Sequence, residues 1–328
     1  QEIQKGLISL GDIIYIDKDT TRIKGSSLKL KEGEMFTVKE LLEATMVVSA
    51  NDATYALSKH IAGSEEGFVN MMNDKAKELE LKSTLYFNST GLPEGNIQNI
   101  MSPIDIFTLS RHILDKYPQI LSITTIPYIE FSNRDYKKDN TNPLLKEIKG
   151  IDGLKTGFTN KAGYCLVSTI LINGRDTQEE DFRLISILMG TKSEGKRKEL
   201  GKKLNQYGIY EYSKKILVNE NIPLDTIYIS KARDKEVEVY PLRSFKTIIK
   251  KGDIIDINIS IYEDLTLPLK NLDKVGTVIL LKNGERLDEI DLIVRKDVKK
   301  EWFFTVIFRH IKELIHFTKY TFRWFLLY

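Results

Sequence analysis

Lys155-Thr156-Gly157 is the stretch whose residue types point most directly to chemistry. A lysine ammonium on a strand edge offers charge to a carboxylate, and the Thr156 hydroxyl adds a hydrogen bond. Gly157 lets another backbone approach the strand without a Cβ in the way. Upstream, Ser49-Ala50-Asn51 places a hydroxyl and a carboxamide two residues apart. Either triplet alone recurs by chance in a few hundred residues, whereas the two in this order form a much stronger signal.

Other chemistries find little support. Cys165 is the single cysteine, so an internal disulfide, a cysteine zinc cluster and a CxxC pair are excluded. It lies in an apolar run and is expected to belong to the core. His60, His112, His310 and His316 lack metal-ligand spacing, and His60 and His112 are read as structural. No metal or cofactor is expected. Lys and Arg number 49 against 46 Asp and Glu, a formal charge of +3, too even for a nucleic-acid binder defined by its field.

These residues need elements to hold them. Thr37 with Glu40 reads as a capping box opening a helix over residues 38–47, which delivers Ser49 and Asn51 at its C-terminal end. Helical patterns follow over 52–63 and 67–79, and Ser102-Pro103 opens another over 104–114. Residues 12–16 and 28–30 suggest a small hairpin, and 126–131 a strand followed by a polar loop over 133–142. Strands are expected at 153–157, 164–171 and 182–189, the last two joined by a hairpin turn at Asn173-Gly174. A lysine-rich helix over 193–212 then returns. Helices followed by sheet imply an α+β domain, helices packed on an antiparallel sheet, over residues 1–213. From 214 to 298 only short strands and turns occur, predicting a small all-β domain.

Residues 299–328 form a third region, read as a C-terminal amphipathic helix. Arg309, Lys312, Lys319 and Arg323 share a face with Glu313, while Phe304, Ile307, Phe308, Ile311, Phe322 and Phe325 fill the other. Such a face pattern, with Trp302 and Trp324, predicts a helix lying on a membrane surface through residues 301–328 rather than spanning it.

The ordered Ser49-Ala50-Asn51 and Lys155-Thr156-Gly157, with Ala162-Gly163-Tyr164-Cys165 after them, resemble the low-molecular-weight penicillin-binding proteins. Among these the match is to the serine-type D-alanyl-D-alanine carboxypeptidases. The Asn88–Leu92 turn, Ser102-Pro103-Ile104-Asp105, the all-β domain and the amphipathic tail fit the same layout. The resemblance implies a penicillin-binding or β-lactamase-like fold and an acyl-enzyme hydrolase acting on peptidoglycan stem peptides that end in D-Ala-D-Ala. It also implies sensitivity to β-lactams and a place at the extracytoplasmic face of the bacterial membrane. By resemblance Ser49 relays a proton towards the leaving amine, and Asn51 holds the substrate amide and the base. Lys155, Thr156 and Gly157 hold the terminal carboxylate, and the Phe158 N–H donates to the oxyanion. The family's third motif, a helix-borne Ser-x-x-Lys, carries the nucleophile and its base. Ser26-Ser27-Leu28-Lys29 lies between turn signals, and Ser193-Glu194-Gly195-Lys196 comes after Lys155-Thr156-Gly157. The chain is therefore expected to be truncated at its N-terminus, without that motif, and inactive as given. Two other readings stand beside this one: a catalytically dead, membrane-anchored peptidoglycan-binding scaffold, and a soluble β-lactamase, against which the all-β domain and basic tail argue.

Overall fold

The computed structural model describes residues 1–131 and 134–302, which divide into two compact units, residues 1–173 with 181–210, and 174–180 with the chain from 211 onward. The amphipathic helix expected over 299–328 lies almost wholly outside the described residues. Among those described, no helix is long and apolar enough to cross a membrane.

In the first unit β1 (Ile13–Tyr15) pairs antiparallel with β2 (Met35–Thr37). The capping box then starts α1 (Val38–Val47): the Thr37 hydroxyl accepts from the Glu40 N–H at 3.1 Å and the Glu40 carboxylate accepts from the Thr37 N–H at 2.7 Å. Two backbone donors at the helix start are thus satisfied reciprocally. Helix α2 (Asn51–Ala62) stops at Gly63, whose φ of 78° suits a residue without Cβ. α3 (Glu65–Glu78) starts from Ser64, and α4 (Pro103–Lys116) from Ser102 with proline in its first turn. A short α5 (Leu121–Thr124) follows. The strands β1 and β2 join α1 and α2 around a core of Ile14, Phe36, Leu41, Ala44, Val47 and Ala53 with their neighbours.

Two expectations fail here. Leu28 and Leu30 do not pair with β1, because the Asp52 carboxylate takes their N–H groups at 3.0 and 3.1 Å. Residues 136–139 are not loop: β3 (Tyr128–Phe131) and β4 (Tyr136–Asp139) form an antiparallel ribbon, with Ile129 opposite Lys138.

The sheet consists of β5 (Ile151–Thr159), β6 (Gly163–Ile172) and β8 (Phe182–Thr191) in that spatial order, all antiparallel. No two-residue turn at Asn173-Gly174 joins β6 to β8. The connection includes β7 (Glu179–Glu180), whose carboxylates meet Lys215 and Lys214 at 3.0 Å each. α6 (Glu194–Glu211) covers the sheet through Arg197, Gly201, Asn205 and Gly208, its four buried residues. A Cβ on Gly201 would stand 2.9 Å from a Leu166 methyl, and one on Gly208 2.4 Å from a Leu184 methyl. The glycines therefore set how closely α6 approaches. Between them Asn205 donates to the Ser168 hydroxyl at 2.8 Å.

The second unit is all β. β9 (Tyr212–Val218) lies between β12 (Phe245–Lys250) and β7. The other sheet runs β10 (Asp225–Tyr228), β11 (Glu236–Pro241), β15 (Glu285–Ile293), β14 (Lys274–Lys282) and β13 (Ile255–Ile261). Alternating residues such as Val237 and Val239, and Val278 and Leu280, fill its core.

Candidate active site

Between α1 and α2 the chain turns through Ser49, which has a φ of 58°. A non-glycine residue there costs roughly 1 kcal/mol, so the surroundings must hold it. They do so on both sides. The Ala50 N–H returns to the Ala44 carbonyl at 3.1 Å, closing the last turn of α1, and the fully buried Ala50 caps α2. Asn51 is the first residue of α2; its backbone N–H donates to the Ser26 carbonyl at 2.7 Å and its side-chain Nδ2 to the Lys24 carbonyl at 3.0 Å. The Ser26 hydroxyl in turn donates to the Val48 carbonyl at 3.0 Å. Residues 24–26 are a strap across the turn that carries both Ser49 and Asn51.

Gly25 is where the strap comes closest: with φ 84°, a Cβ on it would stand 2.6 Å from Asn51 Nδ2. Asp52 fixes the far end of the strap through the N–H groups of Leu28 and Leu30.

Strand β5 is pinned at its start. The Thr124 hydroxyl donates to the Asp152 carbonyl at 2.5 Å and Asn142 Nδ2 to the Gly153 carbonyl at 3.0 Å. Asp152 also pairs with Arg183 at 2.8 Å. Two residues on, Lys155 Nζ reaches across to donate to the Ser49 hydroxyl at 2.8 Å and to the Thr156 carbonyl at 3.0 Å. Triplets 106 positions apart are thereby joined by one hydrogen bond. Thr156 is buried and Gly157 exposed, while Phe158, half exposed, lies against Tyr164 with ring centroids 4.2 Å apart.

Burial holds Lys155 down to a pKa of about 8, assisted by the positive charges of Arg197 and Lys138. A lysine held down in this way still carries charge for an anion, and it touches a hydroxyl able to pass a proton. Among the described residues no carboxylate lies within ion-pair distance of Lys155.

Two contributors escape a reading of the sequence. Arg197, 6% exposed, lies over the Tyr164 ring at 5.7 Å; its Nη2 meets the exposed Glu194 at 3.4 Å, and its buried Nε has no partner among the described residues. Its position four, eight and eleven residues from Gly201, Asn205 and Gly208 was a legible sign that it faces the sheet. Lys138 sits in the segment expected to be loop, and its Nζ donates to the Ser26 hydroxyl at 3.0 Å. Ser26 opens a Ser-x-x-Lys quartet, yet it lies outside any helix and its hydroxyl is engaged by Val48 and Lys138. Cys165, expected in the core, is half-buried, its Sγ turned to the Ala162 carbonyl at 3.5 Å. Among the described residues no His, Cys, Asp and Glu cluster could hold a metal.

Residues 1–193 match the family model described as D-alanyl-D-alanine carboxypeptidase. The chain belongs to this family. Residues 212–300 match the model for the C-terminal domain of penicillin-binding protein 5. D-alanyl-D-alanine carboxypeptidase DacF of Bacillus subtilis is 31% identical over 315 residues, covering 94% of this chain and 78% of that one. Penicillin-binding protein 5 of Haemophilus influenzae superposes with a TM-score of 0.66 at 26% identity, covering 91% of this chain and 86% of the other. Penicillin-binding protein D2 of Listeria monocytogenes, whose structure is an ampicillin-bound form, does so at 0.53 and 29% identity, over 62% of this chain and 79% of its own. The carboxypeptidase family is one of serine hydrolases, and this member has its mixed helix and sheet fold followed by the all-β region.

Proposed function

We propose that the chain binds the D-Ala-D-Ala end of peptidoglycan stem peptides and carries the carboxylate-holding and proton-relaying wall of a carboxypeptidase site. The observation that carries this reading is the hydrogen bond from Lys155 to Ser49 beside the buried Arg197. Lys155, with no carboxylate in ion-pair range among the described residues, and Arg197, paired only with the exposed Glu194, form a receptor for the terminal carboxylate, and Arg197 with its unpartnered Nε is suited to share it with Lys155 and the Thr156 hydroxyl. Gly157 admits the peptide backbone alongside β5. In the reaction a serine oxygen attacks the carbonyl of the terminal peptide bond, and that bond breaks as the amine of D-alanine leaves with a proton. Ser49, bonded to a lysine that titrates near 8, passes that proton. Asn51 holds the substrate amide, and the Phe158 N–H steadies the oxyanion, an interaction worth about 3 kcal/mol of barrier.

The acyl-forming serine belongs on a helix-borne Ser-x-x-Lys quartet upstream of Ser49; of the two quartets in residues 1–328, that of Ser26 lies outside any helix and that of Ser193 starts α6, after Lys155-Thr156-Gly157. Calorimetry with N-acetyl-Ala-Gln-D-Ala-D-Ala should show binding that Lys155→Ala weakens tenfold or more; binding insensitive to that change would sink the proposal. The same 328 residues should release no D-alanine and take no fluorescent penicillin, and a labelled band would refute that part. The same wall also suits a second reading, a peptide-holding scaffold without hydrolysis. Adding the helix-borne quartet of a relative tells them apart, since a carboxypeptidase wall would then support D-alanine release. Either role belongs outside the cytoplasmic membrane. We place its surface contact in residues 301–328, to be tested by co-sedimentation with anionic liposomes with and without them.

A further inference from the structure

Lys138 is the feature this reading leaves unused. It lies opposite Ile129 in the β3–β4 ribbon, so the two share a face, and Ile129 is buried in the helical core that contains Val47, Val48 and Ala50. Lys138 itself is exposed, and its ammonium reaches the strap, bonded to the Ser26 hydroxyl at 3.0 Å. That hydroxyl is one hydrogen bond from Val48, and the Ser26 carbonyl one from Asn51. Its neighbours are neutralised: Lys137 pairs with Glu130 at 2.8 Å and Asp139 with Lys146 at 2.7 Å. Among the described residues, Lys138 has a neutral partner and no carboxylate within 4 Å. Three cations therefore surround the Ser49 turn, with the exposed Glu194 as the one carboxylate in contact with any of them. A ligand with a single terminal carboxylate answers Lys155 and Arg197 and leaves Lys138 uncompensated on the side of the strap and Asn51, where the rest of the peptide would lie.

Resting on the proposed function, we infer that Lys138 forms a second anion subsite, selecting D-Ala-D-Ala peptides whose preceding residue carries a free side-chain carboxylate over those in which it is amidated. The probes are N-acetyl-Ala-Glu-D-Ala-D-Ala and its Gln counterpart, titrated into the 328-residue chain at low salt. The acidic peptide should bind fivefold or more tightly, and Lys138→Gln should bring the ratio within twofold. Because Lys138 is exposed, the variant should keep the wild-type melting temperature. Lys155→Ala should weaken both peptides alike. Equal affinity for the two peptides in the wild type, or a ratio that survives Lys138→Gln, overturns the subsite while leaving the proposed function standing. Failure of both peptides to bind, or indifference of both to Lys155→Ala, removes the proposed function and the subsite with it.

Discussion

The Lys155 ammonium is enclosed, close to two other cations and bonded to a hydroxyl, and under the proposed function it receives the peptide carboxylate. With the free protein's Lys155 at about 8, the ammonium is charged below that pH and loses its charge above it. Affinity for a peptide carboxylate should therefore be flat from pH 6 to 7.5 and fall about tenfold per unit above pH 8. Lys155→Arg, charged throughout, should flatten the profile; an unchanged profile in that variant would assign the fall to another group. Gly25 offers a second test at this scale. Gly25→Ala places a Cβ 2.6 Å from Asn51 Nδ2 and strains a φ of 84°. The variant should bind peptide at least fivefold more weakly, and wild-type affinity would show that the strap does not govern Asn51.

At the scale of elements, the turn between α1 and α2 keeps its shape because side chains from both sequence directions tie it down. Asp52 accepts from Leu28, Leu30 and Ala53, and an Asn there must turn its NH2 towards at least one of those buried donors. Asp52→Asn should cost about 2 kcal/mol in urea unfolding, and a change under about 0.5 kcal/mol would mean the strap is held by other contacts. Thr37→Ala removes a cap that the sequence announced and should cost about 1 kcal/mol. The contrast shows where legibility ends. A capping box is written within four residues, so Thr37 and Glu40 could be read directly. The Asp52 anchor joins residues 22 to 24 positions apart, and no local pattern says that Leu28 and Leu30 spend their N–H groups on a carboxylate rather than on β1. Residues 136–139 were missed for a similar reason. Polar and charged throughout, they look like loop, and only the β3 partner makes them a strand.

For the molecule as a whole, each unit has its own buried core. Leu41 and Leu280 are fully buried, one in the helical core of the first unit and one in the all-β unit. Calorimetric melting should resolve two transitions, with Leu41→Ala lowering one and Leu280→Ala the other, each by 2–5 kcal/mol. A single transition moved equally by both variants would refute independent unfolding of the two cores. The sequence by itself determined the helices on an antiparallel sheet and the all-β region, and it singled out Ser49, Asn51, Lys155, Thr156 and Gly157 as candidates. Periodicity, caps and motif residues are local, and they survive without knowledge of the fold. Only the tertiary structure brought Lys155 Nζ within 2.8 Å of Ser49, and only it turned Arg197 and Lys138 from members of lysine-rich surface segments into neighbours that lower the Lys155 pKa. Charge proximity and desolvation depend on distances across the fold, which spacing along the chain does not encode.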